Sequence, residues 1–216
     1  MTPEPLPTTD RRAFLALSLA SLAALDAPSA ALAAGPRDAA AEQFVQTGAQ
    51  RVISVLADRG QTDAQRLAAF RRALDDLADV GKITNFVLGK YARTISPAQR
   101  AQFTTVFKAY AERVYRNRLD DYHGETLKVT GSLVRKPGDV VVNTLVAGGK
   151  LSRPAAVSWR VLGDGATWKV VDVQFKGVWL AITQQQDFVS TIDNAGGDVG
   201  VLIAQLQRDA QRPAPG

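Results

Sequence analysis

The feature that most constrains this chain is a change of period. Up to about residue 119 the apolar residues recur at helical spacing, and after Tyr122-His123-Gly124 they alternate. Recurrence at three and four residues lays a stripe on a helix, whereas a period of two asks for a half-buried strand. The alternating stretches are 126–135, turned by Lys136-Pro137-Gly138-Asp139, and 140–147, turned by Gly148-Gly149-Lys150. Next come 157–162, turned by Gly163-Asp164-Gly165, and 167–175. Consecutive strands joined by short glycine-bearing turns are antiparallel neighbours, so the middle of the chain reads as a four-stranded meander. Helical period returns over 180–192 and, past Gly196-Gly197, over 198–209.

Ahead of the sheet, Phe44, Val45, Val52, Ile53, Val55 and Leu56 mark a first helix from Glu42, broken at Gly60-Gln61-Thr62. Thr62 or Asp63 caps a second, with Leu67, Phe70, Leu74 and Leu77 on one stripe and an end at Gly81. A short apolar turn follows at 83–88. Ser96-Pro97-Ala98-Gln99 then carries a capping box, with Ser96 as N-cap, Pro97 first in the helix and Gln99 the return partner. That helix runs to about residue 119. Phe103, Phe107, Tyr110 and Val114 follow at spacings of four, three and four, a stripe that must bury itself. Helices, then strands, then helices predict an α+β fold: a four-stranded antiparallel meander with helices packed on one face, enclosing a wedge-shaped apolar pocket.

The first residues are set apart from this fold. Arg11-Arg12-Ala13-Phe14-Leu15 places paired arginines before an uncharged apolar stretch, and Ala31-Leu32-Ala33 offers small residues for cleavage. Paired arginines followed by x-Phe-Leu read as a twin-arginine export signal, with an ordinary secretory signal as the alternative. The organisation expected is a cleaved leader at 1–33, one domain at 34–211 and a frayed tail at 212–216, in the periplasm. Losing Glu4, Asp10, Arg11, Arg12 and Asp26 with the leader raises the net charge from +5 to +6. A basic exported protein suits acidic partner surfaces or anionic headgroups. There is no cysteine, so the fold relies on its core.

Much chemistry is excluded. His123 is the only histidine; with no cysteine, a zinc site has no ligands to draw on. No Gly-x-Ser-x-Gly elbow and no glycine-rich phosphate loop of either type occurs. The pairs Asp75-Asp76 and Asp120-Asp121 are adjacent, so their carboxylates diverge on a helix. Basic and aromatic residues are not interleaved as nucleic-acid binding would ask. The chain reads as a non-enzyme without cofactor or metal. An enzyme would have to use Asp172 with His123 or Tyr110; a non-catalytic envelope adaptor would have a filled core and no pocket.

Several segments together resemble the MlaC/toluene-tolerance family of periplasmic lipid carriers. They are Ser96-Pro97-x-Gln99 ahead of Phe103, Phe107 and Tyr110; Val157-x-Trp159-x-Val161; Trp168-Lys169-Val170-Val171-Asp172-Val173; Gly177-Val178-x-Leu180; and Gln186-x-Phe188 leading to Gly197, Leu202, Ile203 and Leu206. The resemblance implies an NTF2-like or cystatin-like fold and a monomeric carrier of phospholipid. It also implies an inner-membrane MCE-domain ABC transporter and an outer-membrane lipoprotein complex as partners, with no nucleic acid. Trp179 departs from the family, which usually has a small residue there, and a hopanoid-associated branch offers hopanoid as the alternative cargo. Acyl chains are expected against Phe86, Tyr91, Phe103, Phe107 and Tyr110 from the helices and Val129, Val142, Trp159 and Val171 from the sheet. Val178, Trp179 and Ile182 are expected around the mouth. Phe103, Phe107 and Tyr110 should face Val142, Trp159 and Val171 across the lipid, so that Phe107→Asp or Val142→Asp leaves a folded, lipid-free protein. A one-residue slip in register would put Val170 in place of Val171.

Overall fold

The computed structural model describes residues 36–119, 122–164 and 167–211, with the backbone alone over 114–119; all belong to the unit Ala34–Gly216. The leader at 1–33, the pair Asp120-Asp121 and the tail at 212–216 lie outside the described residues, as does the Val114 side chain. Four helices precede the sheet: α1 (Ala39–Ala57), α2 (Asp63–Leu77), α3 (Val80–Val87) and α4 (Pro97–Leu119), with a 3₁₀ turn at Gly89–Arg93. The strands are β1 (Thr126–Lys136), β2 (Asp139–Ala147), β3 (Ala155–Leu162), β4 (Lys169–Phe175) and β5 (Val178–Trp179), followed by α5 (Leu180–Asn194) and α6 (Val199–Gln211).

The starts of these helices are written in their caps. Asp38 accepts the Ala41 amide at 2.9 Å. Thr62 and Gln65 form a reciprocal box, and so do Ser96 and Gln99. Each such cap is worth ~1 kcal/mol against alanine. The short apolar segment that reads as a turn is α3, an eight-residue helix capped by Asp79.

The sheet has five strands rather than four, in the order β1-β2-β3-β4-β5, and every neighbouring pair is antiparallel. The fifth is two residues long, so it has no periodicity to read. It follows a tight turn in which Lys176 and Gly177 hold φ of 50° and 82°, setting Trp179 opposite Gln174 and Val178 opposite Phe175. A bulge interrupts β4: Val161 pairs with Val170 and Arg160 with Asp172, leaving Val171 as the extra residue.

Other stretches of the chain bond to β1 and to β4 outside the pairing of the five strands. Along β1, the Pro36 carbonyl accepts the Val134 amide at 3.3 Å. The Gln46 side chain donates to the Leu127 carbonyl at 3.3 Å and accepts the Val129 amide at 3.2 Å. Ser132 accepts the Asp38 amide at 2.9 Å and donates to Glu42 at 2.7 Å. Along β4, Ala78 bridges Val170 in parallel, and the Asp79 amide donates to the Val170 carbonyl at 3.0 Å.

Two separate clusters of buried side chains form the interior. One joins α1 to a face of the sheet through Ala41, Val45, Val140, Val142, Val161 and Trp168, with Phe44, Val129, Val134, Trp159 and Val170 packed against it. The other lies among α3, α4, α5, α6 and the 3₁₀ turn, with Leu88, Phe103, Phe188, Ile192, Leu202 and Leu206 at its centre. Fully burying one such aliphatic or aromatic side chain contributes roughly 1.5–3 kcal/mol, so each cluster is a core in its own right.

Candidate functional site

The two cores meet where β4 runs past α3 and α5, and Phe86 stands at that seam. Val87 and Leu88 are fully buried and hold the end of α3 in the helical core. That anchoring turns Phe86 outward, to 38% exposure. Gly89 follows in the left-handed region at φ +54°, and a Cβ there would lie 2.8 Å from Val189. Only glycine lets the 3₁₀ turn come this close to α5. Gln185 of α5 completes the junction by donating its amide to the Phe86 carbonyl at 2.5 Å.

Phe86 borders two recesses. A groove of about 540 Å³ lies between the 3₁₀ turn and α5, lined by Asn85, Phe86, Gly89, Lys90, Arg93, Gln185 and Val189. A smaller recess of about 180 Å³ lies over the sheet, lined by Lys82, Phe86, Arg160, Leu162, Val171 and Asp172. Four large apolar side chains nearby in the chain are also exposed: Phe175, Val178, Leu180 and Ile182.

The polar side of the smaller recess is fully committed to structure. Asp139 is buried and receives a two-pronged bond from Arg160 at 3.0 and 2.9 Å. That bond holds the Asp139 carboxyl below its ordinary pKa. Asp172 accepts the amides of Val173 and Ala181, both at 2.8 Å. It thereby caps α5, whose own N-cap, Trp179, offers no side-chain bond. Burial raises the Asp172 pKa, against the pull of those amides and of Arg160. On the other side, Asp193 receives Lys90 at 2.8 Å and the Tyr91 hydroxyl. The hydrogen bond to Asp193 raises both the Lys90 and the Tyr91 pKa.

The structure does not bring the expected lining residues together. Phe103, Phe107, Tyr91 and Tyr110 belong to the helical core. There Phe103, Phe107 and Phe188 form an aromatic trio with centroids 5.8, 5.9 and 6.1 Å apart. Val129, Val142 and Trp159 belong to the other core, under α1. The two groups therefore pack in separate clusters. Val142 in particular is fully buried in packed core. Of the twelve, Phe86 and Val171 line the recesses, Val178 and Ile182 are exposed, and Trp179 is half-buried opposite Gln174. Val171 reaches the recess because it is the bulge residue, while Val170 packs with the α1 core.

Sequence reasoning missed Asn85, Gly89, Lys90, Arg93, Gln185 and Val189. The signal available was Leu88-Gly89-Lys90, a glycine between two apolar stretches with cations following at Lys90 and Arg93. Among the described residues no cluster of three or more His, Cys, Asp or Glu could hold a metal ion, and no helix is long and apolar enough to cross a membrane.

Comparison with known proteins adds three findings. The family model described as MlaC protein matches residues 46–208. The intermembrane phospholipid transport system binding protein MlaC of Haemophilus influenzae is 26% identical over 132 residues, 59% of this chain. The match spans 60% of that relative's length. A phospholipid-binding protein from Ralstonia solanacearum, solved in complex with a phospholipid, has the same fold with a TM-score of 0.71. It is 25% identical, and the match covers 79% of this chain and 96% of the other.

Proposed function

The chain belongs to the MlaC protein family, and from that premise we propose that it is a soluble periplasmic carrier of phospholipid. It takes its cargo between an inner-membrane MCE-domain ABC transporter and an outer-membrane lipoprotein complex. The observation that carries the reading is the likeness, over 79% of this chain and 96% of the other, to a protein solved with a phospholipid bound.

The physical need is plain. Exposing about fifteen methylenes of one acyl chain to water costs roughly 0.8 kcal/mol each, or about 12 kcal/mol. A carrier must hide nearly all of that surface and release it again without covalent chemistry. Two cores that are each complete alone suit this task, because the contacts between them can part while both stay packed. The recess of 180 Å³ at their seam is smaller than the ~300–1,000 Å³ of ordinary small-molecule sites. Loading therefore widens the seam, with Phe86, Leu162 and Val171 as the first apolar walls and Val178, Trp179 and Ile182 toward the mouth. Phe103, Phe107, Tyr91, Tyr110, Val129, Val142 and Trp159 back those walls from the two cores.

Mass spectrometry of an organic extract from the purified mature protein tests this. Stoichiometric phospholipid is expected. Preparations that are lipid-free and cannot be loaded from vesicles would remove the carrier reading. Hopanoid in the extract would keep the carrier and change the cargo, in keeping with Trp179.

A further inference from the structure

We infer that the groove between the 3₁₀ turn and α5 holds the anionic, phosphate-bearing headgroup of the cargo, with Arg93 as its principal cation. The inference rests on the carrier reading above.

Charge around this groove is unbalanced. Among the described residues Lys90, Arg93 and Arg100 stand at it, against the single carboxylate Asp193. Lys90 is already bound to Asp193 at 2.8 Å. Arg100 donates to the Asn85 side chain and to the Ala92 carbonyl, neutral acceptors that fix the guanidinium without cancelling its charge. Arg93 lines the groove, is exposed, and has no carboxylate within ion-pairing distance among the described residues. Asp187, the next acidic residue along α5, does not line the groove. Among the described residues Arg93 and Arg100 thus have no counter-ion beside an open groove.

A free anion would need only those charges. This groove also carries Phe86 and Val189, and Phe86 borders the recess that continues to Leu162 and Val171. A cationic end and an apolar path meet at one side chain, which is the pattern an amphiphile with an acidic head requires. A guanidinium is the better partner here, because its planar fork matches two phosphate oxygens at once.

The test loads mature protein from vesicles of equal phosphatidylglycerol and phosphatidylcholine, then measures the ratio of the two lipids bound. Both lipids offer the phosphate, but phosphatidylcholine adds a quaternary ammonium that this basic groove repels; an exposed charge contact is worth ~0.2–1 kcal/mol, so phosphatidylglycerol should be enriched by up to about fivefold. Arg93→Ala should bring the bound ratio most of the way to that of the vesicles, Arg93→Lys should keep more of the enrichment than Arg93→Ala, and Arg208→Ala on α6 should keep all of it. No enrichment in the wild type, or full enrichment in Arg93→Ala, overturns the headgroup site and leaves the carrier standing. Loss of enrichment in inorganic phosphate at the lipid's own concentration assigns the groove to the free ion and likewise overturns it. Failure to take up either lipid overturns the site and the carrier reading together.

Discussion

A carboxylate placed at Val142 and one placed at Phe86 should have opposite consequences. Val142 is fully exposed to packing and not at all to water, opposite Trp159 and Ser132 in register, under Ala41 and Val45 of α1. Keeping an aspartate neutral there at pH 7, about three units above its ordinary pKa, costs roughly 4 kcal/mol at 1.36 kcal/mol per unit. Losing the buried valine adds roughly 1.5–3 kcal/mol. Together these approach the ~5–15 kcal/mol that holds a whole domain folded. For a domain of this size each kcal/mol moves Tm by about 2–4 °C, so Val142→Asp should lower it by more than about 10 °C. Phe86 is 38% exposed, so Phe86→Asp forfeits only part of a full burial, about 1–2 kcal/mol and a few degrees. Circular dichroism melts on lipid-stripped protein measure both, and vesicle loading follows on whatever remains folded. Phe86→Asp should be folded and lipid-poor; Val142→Asp should melt early whether lipid is offered or not. A Val142→Asp protein melting within a few degrees of wild type would refute the reasoning, since Val142 would then be a cavity wall.

Asp139 and Asp172 should respond to pH with opposite sign. Asp139, with its pKa lowered by Arg160, contributes stability above the ordinary carboxylate range that is lost as pH falls through its folded value; Asp139→Asn should cost most near neutrality and nothing in strong acid. Asp172, with its pKa raised by burial, contributes stability below the ordinary range that is lost as pH rises through its folded value; urea unfolding of Asp172→Asn against pH should be flatter than wild type. Arg11→Lys with Arg12→Lys should leave precursor in the cytoplasm, and unchanged periplasmic yield would point to the ordinary secretory route. Association of the proposed carrier with a transporter should slow steeply with salt while dissociation barely changes, as its net charge of +5, or +6 without the expected leader, would have it; a salt-independent association rate would discard electrostatic steering.

How far the sequence reaches depends on the range of each signal. Ser96-Pro97-x-Gln99 and Thr62-x-x-Gln65 predict helix starts because a capping box closes within four residues, and both boxes are present. The meander was legible for the same reason, since each turn lies between the strands it joins. Pairing irregularities were not. Val171 lies in the recess because one residue is added to β4 relative to β3, and alternation along β4 alone cannot reveal that. The stripe Phe103, Phe107, Tyr110 fixes which face of α4 is buried but not what covers it. The cover is Phe188 and its neighbours on α5 and α6, a partner more than seventy residues away that no local spacing can name.

The occupied sheet edges bear on the protein's life among other proteins. An open strand edge accepts any chain that offers an extended segment, and such additions tend to be irreversible. Here Pro36, Gln46 and Ala78 already hold the positions an intruding strand would take. A carrier of the kind proposed above must leave each host as readily as it arrives. Taking up part of these edges leaves fewer backbone groups for a host to capture, which favours docking through side chains and keeps it reversible. Gln46→Ala would reopen part of β1, and the cost would surface as slow self-association in storage well before any change in melting temperature.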